Sequence, residues 1–195
     1  MKLTPRIFEA AGEDKMKKAV VLLVLFIVIP MNAEIVSHRG PEVEASRDFR
    51  VWVNGAEMFT GQAGDRRWPY SFCAFDFDRP VTVKVKFARS IKWIDIMPSL
   101  LKIEHQMIDG YTFEYAMDEP KKITILINND RKNALHILTN LPEKDRPNPN
   151  DENVLFYRAG KAYDVGVLDL KDKQTLYIES GASLKGMVRV RDAKH

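Results

Sequence analysis

The sequence has 195 residues, of which 45% are hydrophobic and 29% charged, with a formal net charge of +3. This composition indicates one globular domain, or one domain and part of a second, and excludes a largely disordered chain. The single cysteine, Cys73, excludes an intrachain disulfide, which a secreted domain with a core of ordinary size does not need.

The N-terminal segment has the features of a secretory signal peptide. Lys15, Lys17 and Lys18 precede an uncharged apolar run at 19–30, and Ala33 offers a small residue for cleavage. The run is shorter than the ~18–20 residues that a membrane-spanning helix needs, although an uncleaved anchor or a buried helix would also fit it. We therefore predict a secreted or periplasmic protein with no stable membrane association once the signal peptide is removed.

The stretch ahead of this signal carries acidic residues where basic ones are usual. We expect the natural start at Met16, so that 1–33 comprises an upstream extension and the signal peptide. The alternative is a signal peptide with a longer N-terminal region. Removal of 1–33 takes away five basic and three acidic residues and leaves a net charge of +1. Because a nearly neutral domain has no electrostatic attraction to nucleic acid, we predict no nucleic-acid partner.

Short strands dominate the middle of the chain. Apolar side chains alternate with polar ones at 49–53, 81–87 and 123–127, the pattern of strands with one buried face. Asn54-Gly55 and Asp109-Gly110 mark hairpin turns. About seven or eight strands with turns every ~8–12 residues predict an antiparallel, immunoglobulin-like β-sandwich over 41–141.

A polar, proline-containing linker follows at 142–153, and the pattern then changes. The segment "VLFYRAG" at 154–160 is echoed 21 residues later, with Gly160 matching Gly181. Very short strands with an echo of this length suggest coils of a parallel β-helix at 154–195. Continued strands of the sandwich are the alternative.

The end of the sandwich, the linker and the following segment resemble a known family. From Ala134 to Gly186, with the linker "RPNPNDENV" and the later "LYIESGASLKG", the chain resembles the junction in secreted bacterial glycoside hydrolases of the polygalacturonase-like and dextranase-like group. The resemblance implies an all-β chain in which an N-terminal sandwich leads into a right-handed parallel β-helix. It also implies that the catalytic aspartates lie on later coils, so the chain is expected to be truncated before them and no catalytic residue is assigned.

Four residues in one loop are candidates for binding sugar, Arg66, Arg67, Trp68 and Tyr70. Exposed aromatic rings can stack on sugar faces, and arginine can hydrogen-bond hydroxyl groups or uronates. Alternatively, Trp68 anchors the loop to the rest of the domain.

Two carboxylates and four histidines are further residues with chemistry of their own. Asp76 and Asp78 lie two apart on one strand and point the same way, so they could serve glycoside hydrolysis or bind a cation. The alternative is a solvated strand end. The histidines show no ligand spacing. We predict no metal and no cofactor.

These observations predict the non-catalytic N-terminal portion of a secreted polysaccharide-degrading enzyme of the β-helix type. The alternative is a self-contained carbohydrate-binding or scaffold module. The expected partners are a polysaccharide of plant cell-wall or bacterial origin and, through the exposed C-terminal coil, further copies of the chain.

Overall fold

The structure, a computed structural model, describes residues 33–191, so the predicted extension and signal peptide lie almost wholly outside the described residues. The described chain is all-β, as predicted, and no helix among 33–191 is long and apolar enough to cross a membrane. Fifteen strands are present: β1 Ile35–His38, β2 Phe49–Val53, β3 Ala56–Met58, β4 Thr60–Gly64, β5 Pro69–Phe77, β6 Val81–Phe87, β7 Ile94–Met97, β8 Gln106–Asp109, β9 Thr112–Met117, β10 Lys122–Ile127, β11 Leu135–Asn140, β12 Val154–Tyr157, β13 Ala162–Leu170, β14 Thr175–Ile178 and β15 Ser183–Val190.

The first eleven strands form two packed sheets. The five-stranded sheet has the order β3-β2-β6-β9-β8. The larger sheet has the order β1-β5-β11-β10-β7, and β4 joins β1 on the same edge of the long strand β5. Strand β1 lies ahead of residue 41, where the sequence placed the start of the sandwich, and residues 142–153 contain no strand.

The alternating pattern accounts for the core between the sheets. The inward residues of β2 and β6 are all buried, and those of β5, β9, β10 and β11 meet them from both sides. Asn54 (φ 47°) and Gly55 (φ 85°) close the β2–β3 hairpin with the left-handed backbone that their types favour. Cys73 lies fully buried on β5, and burial raises the pKa of its thiol to about 12.

One pairing in the sandwich differs from the prediction. Strand β11 pairs with β5 in parallel, from Leu135 opposite Ser71 to Asn140 opposite Asp76, whereas the sequence predicted antiparallel strands throughout. The other strand pairs of the two sheets are antiparallel. The parallel pair sets the tip of the β10–β11 hairpin beside the start of β5, where the candidate loop ends.

The last four strands form two coils with parallel pairing. Strand β14 lies beside β12 and β15 beside β13, and Val154 opposes Thr175, the offset of 21 residues seen in the sequence echo. The register of β13 with β15 slips by one residue between Asp164 and Gly166. No side chain from 154 to 191 is buried, because two coils cannot cover their own apolar residues.

Candidate functional site

Arg66, Arg67 and Trp68 lie in the β4–β5 connection, a tight turn at the end of the larger sheet, whereas Tyr70 is the second residue of β5 and not part of the predicted loop. Gly64 has φ +86°, and a Cβ there would lie 2.1 Å from the carbonyl oxygen of Trp68, so the turn closes only on glycine. The Oδ1 atom of Asp65 accepts hydrogen bonds from the amides of Arg67 (2.7 Å) and Trp68 (3.0 Å). These hydrogen bonds fix the backbone of Trp68, and the residue stays 58% exposed.

A second loop, residues 128–133 between β10 and β11, stands opposite. Asn128 begins it with φ 56°, and its Oδ1 accepts hydrogen bonds from the amides of Lys92 (2.7 Å) and Trp93 (3.2 Å). Asn133 ends it and donates from Nδ2 to Asp48 (2.9 Å). Both loops are thus fixed to the sandwich by side-chain hydrogen bonds at their ends.

A groove of about 460 Å³ lies between the two loops on the outer face of the larger sheet. Its small or half-buried floor residues, Thr124, Ala134 and His136, allow the surface to dip there. Its walls and rim comprise Trp68, Tyr70, Met97, Leu126, Arg131 and Lys132.

The contacts inside the groove are aromatic and polar. The ring of Tyr70 meets the imidazole of His136 edge-on, with 5.3 Å between centroids. Thr124 Oγ1 lies 3.0 Å from His136 Nδ1, and partial burial lowers the pKa of His136. Lys132 Nζ lies 5.3 Å from the ring centre of Trp68, a cation–π contact on one face of the indole.

A second basin of about 580 Å³ adjoins the groove and shares Trp68 and Lys132 with it. It is lined by Arg66, Arg67, Trp68, Pro69, Asp130, Lys132 and Asn133. The cations outnumber the carboxylates here, because Asp130 is the one acid among these lining residues and it is already 3.7 Å from Arg89. The positive charge is therefore concentrated beside the exposed indole.

The structure brings all four sequence candidates to this place, and adds residues that the sequence analysis missed. Arg131, Lys132 and His136 come from a hairpin about sixty positions further along the chain. The Asn128-Asn129 turn signal and the alternation of β11 could have identified the hairpin. Its position beside Trp68 depends on the parallel β5–β11 pair, which no local pattern reveals.

Asp76 and Asp78 lie away from the groove and are engaged in the fold. His38 Nε2 is 2.9 Å from Asp76 Oδ2, across the β1–β5 pair. Asp78 Oδ1 accepts a hydrogen bond from the amide of Glu34 (3.0 Å). Within residues 33–191, no three His, Cys, Asp or Glu side chains are grouped as a metal site.

Comparisons with known proteins find a likeness among solved structures. No family model and no curated protein matches the chain. Among solved structures, Dex49A from Penicillium minioluteum, a dextranase, is similar with a TM-score of 0.53 and 12% sequence identity. The match covers 82% of this chain and 43% of that one, so the chain spans less than half the length of this structural relative. The likeness shows a distantly shared fold with a glycoside hydrolase.

Proposed function

We propose that this chain is the sandwich and first coils of an exported, polysaccharide-degrading glycoside hydrolase of the β-helix type. In this proposal the chain binds polysaccharide and does not cleave it. The observation that supports it best is the groove with Trp68 and Tyr70 on a sandwich whose fold is shared with a dextranase.

The groove suits a sugar chain for physical reasons. A pyranose ring has an apolar C–H face and a polar hydroxyl rim, so it pairs with an aromatic ring bordered by hydrogen-bonding groups. Trp68 and Tyr70 supply the rings, while Thr124, Arg131 and Lys132 supply polar groups around them. The groove is open at the surface, so a polymer can pass across it without its ends being enclosed.

The carboxylates considered for hydrolysis support a non-catalytic role. A glycosidase needs one carboxylic acid and one carboxylate that both reach the scissile bond. Asp76 is instead paired with His38, and Asp78 caps the amide of Glu34. These contacts join β5 to the first described strand.

Binding can be tested by titrating the chain with a soluble dextran or another neutral polysaccharide and following tryptophan emission or heat. Trp68→Ala should weaken binding by roughly 30-fold, the effect of losing a central aromatic contact worth about 2 kcal/mol. Trp93→Ala is the matched control, because Trp93 is also well exposed, at 64%, and lies outside the groove lining. Equal losses in the two variants, or no binding by the unaltered chain to any polysaccharide offered, would refute the proposed site.

Hydrolysis is tested separately by incubating the chain with the same polysaccharides and measuring new reducing ends. We expect none above a buffer blank. Reducing-end release that disappears in Asp76→Asn would show that the chain is itself a hydrolase, whatever the outcome of the binding experiment.

A further inference from the structure

The cations around Trp68 are more numerous than a neutral sugar requires. Four of them lie within the two fixed loops: Arg66 and Arg67 on one, Arg131 and Lys132 on the other. Their arrangement favours anionic sugars, a preference that exposed aromatic rings alone would not give.

Two of these cations have neither an ion pair nor a ring contact in the part of the chain that the structure describes. Arg67 lies 3.8 Å from Asp65, and Lys132 rests over the indole of Trp68. Arg66 and Arg131 form no ion pair, hydrogen bond or ring contact with any residue between 33 and 191. Elsewhere on the surface, arginines such as Arg50 and Arg189 are paired to carboxylates with both nitrogens of a fork.

Because the backbones of the two loops are already fixed, a ligand that binds these cations loses little additional backbone entropy. The side-chain hydrogen bonds of Asp65, Asn128 and Asn133 hold the two backbones in place before any ligand arrives. A free guanidinium offers five N–H donors in a plane, which match the oxygens of an anionic group two at a time.

The position of the charges limits the kinds of anionic sugar that the groove can bind. The floor of the groove is uncharged, since burial lowers the pKa of His136, and the cations stand on the rim and in the adjoining basin. An anionic group that reaches them must project outward from a sugar stacked on Trp68. A sulfate ester projects through an extra oxygen, whereas a uronate carboxylate is attached directly to the ring, and one sugar can carry more than one sulfate.

We propose that this groove binds a sulfated polysaccharide, with Trp68 and Tyr70 stacking on sugar rings and Arg66 and Arg131 binding sulfate groups. The inference rests on the proposed polysaccharide-binding function and adds the class of ligand. A weakly charged chain lacks the broad positive field that recruits nucleic acid, so the selectivity comes from this local cluster.

The test compares dextran sulfate with unsulfated dextran of the same length, which differ in the sulfate groups alone. We expect the unaltered chain to bind dextran sulfate at least about tenfold more tightly, with a preference that falls as salt screens the charges. Arg66→Gln combined with Arg131→Gln should weaken binding of dextran sulfate far more than binding of dextran, so that most of the preference is lost. Trp68→Ala should weaken binding of both polymers.

The control variant combines Arg47→Gln with Lys185→Gln, two cations exposed at more than 80% and held in loose ion pairs of 3.8 and 3.9 Å. It removes the same charge elsewhere and should leave the preference intact. If dextran binds as tightly as dextran sulfate and Trp68→Ala abolishes both, the proposed function stands and the sulfate inference fails.

Three further outcomes would overturn the inference. One is tighter binding of oligogalacturonate, whose charges are carboxylates. Another is equal binding of a single-stranded oligonucleotide or inorganic polyphosphate, since that would show attraction to any polyanion. The last is binding of dextran sulfate that is unaffected by Trp68→Ala, because stacking on that ring would then play no part.

Discussion

Single residues decide the geometry of the candidate site, and Gly64 is the clearest case. We expect Gly64→Ala to destabilise the protein by more than Gly55→Ala, although both positions have nearly the same positive φ. An alanine at Gly55 meets nothing within 4 Å and bears only the backbone strain of about 1 kcal/mol, whereas at Gly64 its Cβ would strike the Trp68 carbonyl. Thermal denaturation of the two variants measures the difference.

The two glycine variants should also differ in their affinity for polysaccharide. Gly64→Ala shifts the turn that holds Trp68, so it should weaken polysaccharide binding, whereas Gly55→Ala should leave binding unchanged. Equal stability and equal binding in the two variants would show that the turn can relax without moving the indole.

His136 gives the fold a dependence on pH. Burial lowers its pKa in the folded chain, while in the unfolded chain it titrates near ~6.5. Between the lowered pKa and ~6.5 the unfolded state binds more protons, so stability falls as the pH drops through ~6.5 and levels off below the folded-state pKa. We expect His136→Gln to have a smaller fall in melting temperature between about pH 7.5 and pH 5.

His105→Gln is the control for that experiment, because His105 is an exposed histidine on a different surface. It should keep the pH dependence of the unaltered chain. The account of His136 is wrong if the two glutamine variants respond to acid alike.

At the level of elements, the periodicity of the sequence predicted the strands and their buried faces. It did not predict which distant strands pair in the sheets. Alternation identified the buried faces of β2, β6 and β10, and the 21-residue echo predicted the register of β12 with β14. Both are local or repeating signals. The β5–β11 pair joins strands separated by about sixty residues and has no signal of its own, so the meeting of Trp68 with Arg131 and Lys132 was not predictable.

The irregular register between β13 and β15 lets us predict the effect of a substitution in β15. Gly186 has φ +147°, and a Cβ there would lie 2.6 Å from the carbonyl oxygen of Gly166 on the coil before it. Gly186→Ala should therefore separate β15 from β13 and abolish amide protection over 183–190, while the sandwich keeps its melting temperature. Gly160→Ala, at a positive φ but with open space around it, should keep that protection. Hydrogen exchange followed by mass spectrometry measures both.

On the scale of the whole molecule, the sandwich holds the core. Every residue of the main buried cluster lies between Phe49 and Ile137, and the coils contribute none. We therefore expect residues 34–141 alone to unfold in one cooperative transition, as ~100-residue domains with a single core do. A broad, non-cooperative transition that sharpens when 142–195 is restored would mean that the coils complete the core.

The coils present apolar side chains that the described chain leaves uncovered. Val167, Met187 and Val190 are each more than half exposed, and among the described strands β15 pairs with β13 alone. Such surfaces promote association, so we expect the chain to self-associate at high concentration. Met187→Lys with Val190→Lys should shift sedimentation toward the monomer, whereas Leu100→Lys, an exposed position far from the coils in sequence, should not. A monomer at every concentration would contradict this expectation.

Because Cys73 is buried, the reaction of its thiol can report how often the sandwich opens transiently. With its pKa raised to about 12, the thiol has almost no reactive thiolate near neutral pH, and neighbouring strands shield the sulfur from reagents. Alkylation then requires the strands around β5 to part, so its rate reports how often the sandwich breathes. Oligomers formed through the coils would carry no intermolecular disulfide, and they could be studied in air without a reductant.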